Sequence, residues 1–161
     1  MVEIKPIERH QITDAKKVVL TVGRQLYQWE GTLDEIVECF DRQGELSDID
    51  NFQSYYFANR GLFLVVIDDN QVVGTGAVRR ISENVCELKR LWLLEPYHGK
   101  GLGYRVLQKL IKFAQEKGYK KILLETDHEQ ERALRFYRKA GFQPTEKYNA
   151  RNSDIYMEME I

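Results

Sequence analysis

Apolar residues recur along this chain at two periods, and the switches between them mark its elements. Val2 to Ile7 alternates weakly and is broken by Pro6, which predicts a short first strand near a sheet edge. Behind Thr13 and Asp14, which can cap it, a segment carries Ala15, Val18, Val19, Val22 and Leu26 at helical spacing. Leu33, Ile36, Val37 and Phe40 repeat that pattern behind Thr32 and predict a second amphipathic helix. Ser47 to Phe57 fits either a third short helix or a loop, with Tyr55, Tyr56 and Phe57 open to a core or a substrate wall.

The period then changes. Leu62 to Ile67 is a continuous apolar run, Asp68 to Gln71 is turn chemistry, and Val72 to Val78 resumes the run, so the two read as a hairpin. After Ser82-Glu83-Asn84 comes a third strand, Cys86 to Leu94, which completes an antiparallel meander. A glycine-rich loop follows, then a helix from Gly101 to Lys117, a strand Lys121 to Thr126 and a helix Gln130 to Ala140. Two final strands are expected around Phe142 to Tyr148 and Asp154 to Ile161. No linker or repeat interrupts this order, so residues 1–161 read as one α/β (α+β) domain.

Composition narrows the function classes. With 43% apolar and 30% charged residues the chain is neither disordered nor of low complexity. A net charge of −1 argues against duplex nucleic acid or an anionic membrane as partner. Local charge says more. His98 to Lys121 holds Lys100, Arg105, Lys109, Lys112, Lys117, Lys120 and Lys121 against Glu116 alone, whereas Glu30 to Asp50 is acidic except for Arg42. Both stretches also fit solvated helix faces. Cys39 and Cys86 are far apart and lack CxxC spacing, so neither a zinc site nor a disulfide framework is signalled. No run approaches the length of a membrane span, and the first residues lack a charged region leading into an apolar one; a reducing cytoplasm is the expected home.

The chemistry concentrates in His98-Gly99-Lys100-Gly101-Leu102-Gly103, which follows an apolar strand and opens a helix with Leu102, Val106, Leu107, Leu110, Ile111 and Ala114 on one face. A helix start leaves backbone N–H groups unpaired and carries partial positive charge, so this context suits phosphate oxygens. The string GxxxxGK[ST] of a P-loop is absent. A dinucleotide GxGxxG fails as well, because the third glycine comes one residue early and Tyr104 stands in its place. Glu125 lies where such folds put a ribose-binding acid, but an antiparallel meander before the loop does not suit that fold.

His98 to Gly103 resembles the signature [Gln/Arg]-x-x-Gly-x-[Gly/Ala] of the GNAT superfamily of N-acetyltransferases, with His98 in place of the usual Gln or Arg. A second block, Ala133 to Phe142, looks like that family's later helix and strand and contains its Tyr-x-x-x-Gly-Phe as Tyr137 to Phe142. The resemblance implies a mixed, mostly antiparallel central sheet of about six to seven strands, flanked by helices and splayed at its centre. It also implies acetyl-CoA as cosubstrate, with no metal. Leu91, Trp92 and Leu93 would pair with the pantetheine arm, as an added strand does. His98, Gly99, Lys100, Gly101, Leu102, Gly103 and Tyr104 would line the pyrophosphate, and Gln130 and Phe136 would flank the arm.

For the transfer itself the resemblance points to Tyr137, as contact and proton donor to the leaving sulfur, and to Glu87 as base. Strand alternation sets Glu87, Lys89, Leu91 and Leu93 on one face, so Lys89 could instead neutralise Glu87. Tyr137 shares a helical stripe with Ala133, Phe136 and Ala140 and also fits a core position. Cys86 is not expected to act as a nucleophile, because the family transfers directly. The acceptor would be a primary amine of a small molecule or peptide, shaped by the first helices; their acidic run, with Trp29, Tyr55 and Tyr56, predicts a cationic one. The competing reading is a non-catalytic acyl-CoA-binding or sensing module. Either a monomer or a homodimer fits.

Overall fold

Strand β2 (Leu62–Asp68) lies inside a seven-stranded sheet and is apolar from Leu62 to Ile67 because helices cover both faces. Its Phe63, Val65 and Ile67 pack toward the first helices, and Leu64 and Val66 toward the opposite layer. The computed structural model describes residues 1–161. Strand β1 (Val2–Pro6) pairs antiparallel at the edge, β3 (Gln71–Arg80) follows β2 through a tight turn, and β4 (Val85–Leu93) completes the meander. Asp69 and Asn70 carry that turn at φ 48° and 62°, a left-handed pair that these short polar residues tolerate.

On one face lie helices α1 (Ile12–Tyr27), α2 (Leu33–Arg42) and the single-turn α3 (Ser47–Asp50) and α4 (Phe52–Tyr55). The other face carries α5 (Leu102–Glu116) and α6 (Glu131–Ala140). Ser47 to Phe57 thus resolves into two helical turns and a 3-10 turn, with Tyr56 in the core and Tyr55 on a cavity wall. Strand β5 (Lys121–Thr126) lies parallel to β4, followed by β7 (Ile155–Glu160) and the two-residue β6 (Gln143–Pro144), giving the order β1-β2-β3-β4-β5-β7-β6. The expected strand Phe142 to Tyr148 therefore shrinks to Gln143–Pro144. The residues after it form a loop whose polar side chains turn back onto the sheet.

Two irregularities create the site. Strands β4 and β5 pair only at Val85↔Lys121, Cys86↔Ile122 and Glu87↔Leu123, and part beyond that point. Beside the opening, Thr75 faces Trp92 while Ala77 faces Lys89, so Gly76 stands opposite both Arg90 and Leu91 in a bulge. Arg90 takes the left-handed conformation at φ 57°. Its guanidinium meets Asp48 through Nε at 3.1 Å and Nη2 at 2.7 Å, and Nη2 also donates to the Glu45 carbonyl at 2.9 Å. Thr75 donates its hydroxyl to the Arg90 carbonyl at 2.6 Å, so both ends of the strained residue are held.

The bulge overturns the expected alternation. Glu87 and Lys89 stay on the α1 side, but Leu91 and Leu93 pack with Cys86 and Leu88 beneath α5, and Trp92 takes the α1 side. One extra residue inverts every position that follows it. Gly76 permits this close fit, because a Cβ there would lie 2.5 Å from Val106 Cγ1 and 3.2 Å from Leu91 Cδ1.

Candidate functional site

Where β4 and β5 part, a cavity of about 670 Å³ opens between the sheet and the α1–α3 segment. Glu87 to Trp92 form one wall and Leu124, Glu125 and Thr126 the other; Tyr27, Trp29, Phe40 and Tyr55 close the helical side. Tyr137 reaches it from α6 and Gln130 from the start of that helix. The loop His98–Gly103 lies outside the cavity, past the end of β4.

In that loop Gly99 and Gly101 both have φ 75°, and a Cβ on either would meet nothing within 4 Å. The glycines are needed for conformation, and their front is open. Gly101 caps α5 without a side-chain partner, and the first amide bonded at the helix start is Arg105 N–H to the Gly101 carbonyl at 3.0 Å. The amides from Gly99 to Tyr104 have no protein acceptor. Such a row of N–H groups at the start of a 15-residue helix suits a phosphate-bearing ligand. Leu102 contributes only its backbone, since its side chain is in the core; the Tyr104 ring is exposed. Gly103 gives room to Phe136, whose ring would lie 3.7 Å from a Cβ there. Lys100 is exposed, with its ammonium 5.5 Å from the Tyr97 ring centre. His98 bonds the Leu93 carbonyl through Nε2 at 2.7 Å, so Nε2 donates and the ring ties the strand end to the loop.

Tyr137 is 8% exposed and packs edge-on against Phe136 and Phe142. Among the buried tyrosines, Tyr56 donates to Asp48, Tyr119 to the Arg60 carbonyl and Tyr156 to Asn149, while the Tyr137 hydroxyl has no protein partner. Burial raises its pKa well above that of an ordinary phenol, so it holds its proton. Glu87, 1% exposed, accepts from Arg79 Nε at 2.7 Å and from the Tyr148 hydroxyl at 2.5 Å. Its counter-ion is therefore Arg79 and not Lys89. A carboxylate has about four lone-pair sites, so these two donors leave room for a third. Cys86 is fully buried on the far face, and burial pushes its thiol up to about 12.

Three cavity features had no signal in the spacing of motifs. Tyr148, Asn149 and Arg151 come from the loop before β7, and the last two bind Glu125 at 2.5 and 2.7 Å. Tyr27 donates to Asp127 at 2.6 Å and accepts from Gln130 at 3.0 Å, which ties the end of α1 to the start of α6. Gln130 is thus engaged across the cleft. Three acids of the run have cationic partners: Asp41 and Asp50 both hold Lys16, and Asp48 holds Arg90.

A sequence model described as the Acetyltransferase (GNAT) family matches residues 29–142, a span containing the glycine loop, both cleft strands and α6. The chain belongs to the acetyltransferase (GNAT) family. An uncharacterized N-acetyltransferase of Mycobacterium bovis is 32% identical over 91 residues, covering 56% of this chain and 58% of that protein, so the match spans little over half of either. A GNAT-family acetyltransferase structure from Staphylococcus aureus superposes with a TM-score of 0.85 at 20% identity, covering 99% of both chains. The PaiA N-acetyltransferase of Thermoplasma acidophilum, solved in complex with coenzyme A, gives 0.81 at 24% identity over 100% of this chain and 99% of that one. The GNAT fold is therefore present from β1 to β7, and no helix is long and apolar enough to cross a membrane.

Proposed function

We propose that this GNAT protein moves the acetyl group of acetyl-CoA directly to a primary amine of a small molecule or peptide. The observation that carries the reading is a cleft with unpaired amides from Gly99 to Tyr104 beyond one end and the unpartnered Tyr137 phenol inside it. The amides suit the pyrophosphate. The β4 edge at Leu91, Trp92 and Leu93, unpaired with β5, suits the amide-bearing pantetheine arm. Phe136 and Gln130 flank its path, and the coenzyme A held by the Thermoplasma protein supports the choice of ligand.

In the transfer the amine nitrogen bonds to the thioester carbonyl carbon, the C–S bond breaks, and the sulfur leaves with the electron pair. Tyr137 supplies the proton that this thiolate takes. Glu87 takes the proton lost by the amine, directly or through a water. Tyr137 suits its role because burial keeps its hydroxyl protonated and so able to donate to the leaving sulfur.

Calorimetric titration tests the reading. Acetyl-CoA should bind selectively over NADH and ATP, and Gly101→Glu should weaken it by roughly 100-fold or more, since a side chain at φ 75° is strained and its carboxylate faces the amides. Tyr137→Phe should lower kcat roughly 100- to 10,000-fold with little change in acetyl-CoA affinity. Preference for NADH would overturn the reading; acetyl-CoA binding without turnover of any amine would favour a sensing module.

A further inference from the structure

The charged side chains of the cavity nearly all have partners. Asp48 is matched by Arg90, Glu87 by Arg79, and Glu125 by Arg151. Two remain. Glu45 sits on the rim with its side chain in water, whereas Lys89 is half-buried in the wall. The Lys89 ammonium has no carboxylate partner; its only contacts are the Tyr55 hydroxyl at 3.4 Å and the Tyr55 ring centre at 5.5 Å. Asp48 feels its charge across the cavity but is already engaged by Arg90 and Tyr56. A half-buried ammonium held by one phenol lacks the counter-charge that such sites normally provide.

Lys89 is also well placed to read an acceptor. It directly precedes the bulge residue Arg90 and shares a strand face with Glu87, about 6.6 Å along β4. The Tyr55 ring restricts the ammonium and lowers the cost of ordering it on a ligand.

Building on the transferase reading, we propose that the acceptor carries a carboxylate a few atoms from its amine, as a free amino acid does, and that Lys89 determines this specificity. The carboxylate completes the Lys89 charge while the amine lies toward Glu87. This reverses the cationic preference that the acidic run predicts, because only Glu45 and Asp48 of that run line the cavity and Asp48 is held by Arg90.

The test uses a panel of L-amino acids, each with its carboxamide and its decarboxylated amine, with kcat/KM corrected for the neutral-amine fraction. It compares the wild type with Lys89→Met and Lys89→Glu, and acetyl-CoA binding is measured separately for each. Wild type should favour the free acids by roughly 10- to 100-fold, the worth of one charge-assisted contact. Lys89→Met should bring that ratio close to one, mainly through KM for the acids, and Lys89→Glu should favour the decarboxylated amines. Acetyl-CoA binding with amides or amines consumed as well as acids, with no acid consumed, or with the ratio unchanged in Lys89→Met would overturn this inference alone. Absence of acetyl-CoA binding would bring down the transferase reading and this inference with it.

Discussion

Replacing Asp48 by alanine strands the Arg90 guanidinium at the bulge. The native pair is well buried, with 7% of the Asp48 side chain and 18% of the Arg90 side chain exposed. Burial pushes the Asp48 carboxyl up, but the hydrogen bonds and charge of Arg90 outweigh it and hold the group below its ordinary value. Leaving one partner of a buried pair alone costs about 3–5 kcal/mol. The lower figure applies here, because Arg90 keeps the Glu45 carbonyl and some contact with water. For a chain of 161 residues each kcal/mol moves Tm by roughly 2–4 °C, so a fall of roughly 6–12 °C is expected by circular dichroism. Because the bulge shapes the β4 edge, acetyl-CoA affinity should fall as well. Adding Arg90→Gly to Asp48→Ala should recover part of the loss, since glycine takes φ 57° without strain and removes the stranded charge. A melt within about 2 °C of wild type for Asp48→Ala, or a further fall in the double variant, would show that the pair does not hold the bulge.

Other predictions follow from single contacts. Arg79→Met should lower Tm more than Glu87→Gln, because the first leaves a carboxylate that is 1% exposed without its cation; equal losses would count against a structural ion pair. Gly76→Ala should cost about 1–3 kcal/mol in a denaturant melt, as its methyl would lie 2.5 Å from Val106 Cγ1, and a neutral result would contradict that packing. His128 is raised by its hydrogen bond to Asp154, so the link that joins the β5–α6 loop to the segment before β7 is complete below about pH 6.5 and is lost as pH rises through the raised value. Hydrogen exchange across residues 145–154, corrected for intrinsic rate, should quicken above that window in wild type and be insensitive to it in Asp154→Asn.

Strong periodicity and glycine chemistry made much of this molecule legible. The hairpin at Asp69-Asn70, the helix after Gly101 and the strand from Lys121 all stand within a residue or two of their predicted places. What escaped is the physics of single residues in unusual backbone states. A bulge at glycine would have been visible, but Arg90 takes the left-handed conformation because Asp48, 42 positions away, rewards it. Its effect reached further than itself, moving Leu91 and Leu93 to the other face. The expected strand runs on to Tyr148 and covers the start of the loop before β7; only the folded sheet brings Glu87 within reach of Tyr148 and Glu125 within reach of Asn149 and Arg151. The helical stripe fits Tyr137 to the core and the family resemblance makes it an acid, while its missing hydrogen-bond partner is a property of three dimensions.

The glycine loop presents main chain at its open face, and main chain is common to all residues. The side chains of Lys100 and Tyr104 point to solvent and that of Leu102 to the core, while Gly99 and Gly101 hold φ 75° with nothing in front of them. A surface of this kind writes very little into the letters of a protein. At the first position of the loop His98 has a structural task, tying the loop to the Leu93 carbonyl. A ligand seated there would meet the curvature of the backbone, which Gly99 and Gly101 set, before it met any side chain.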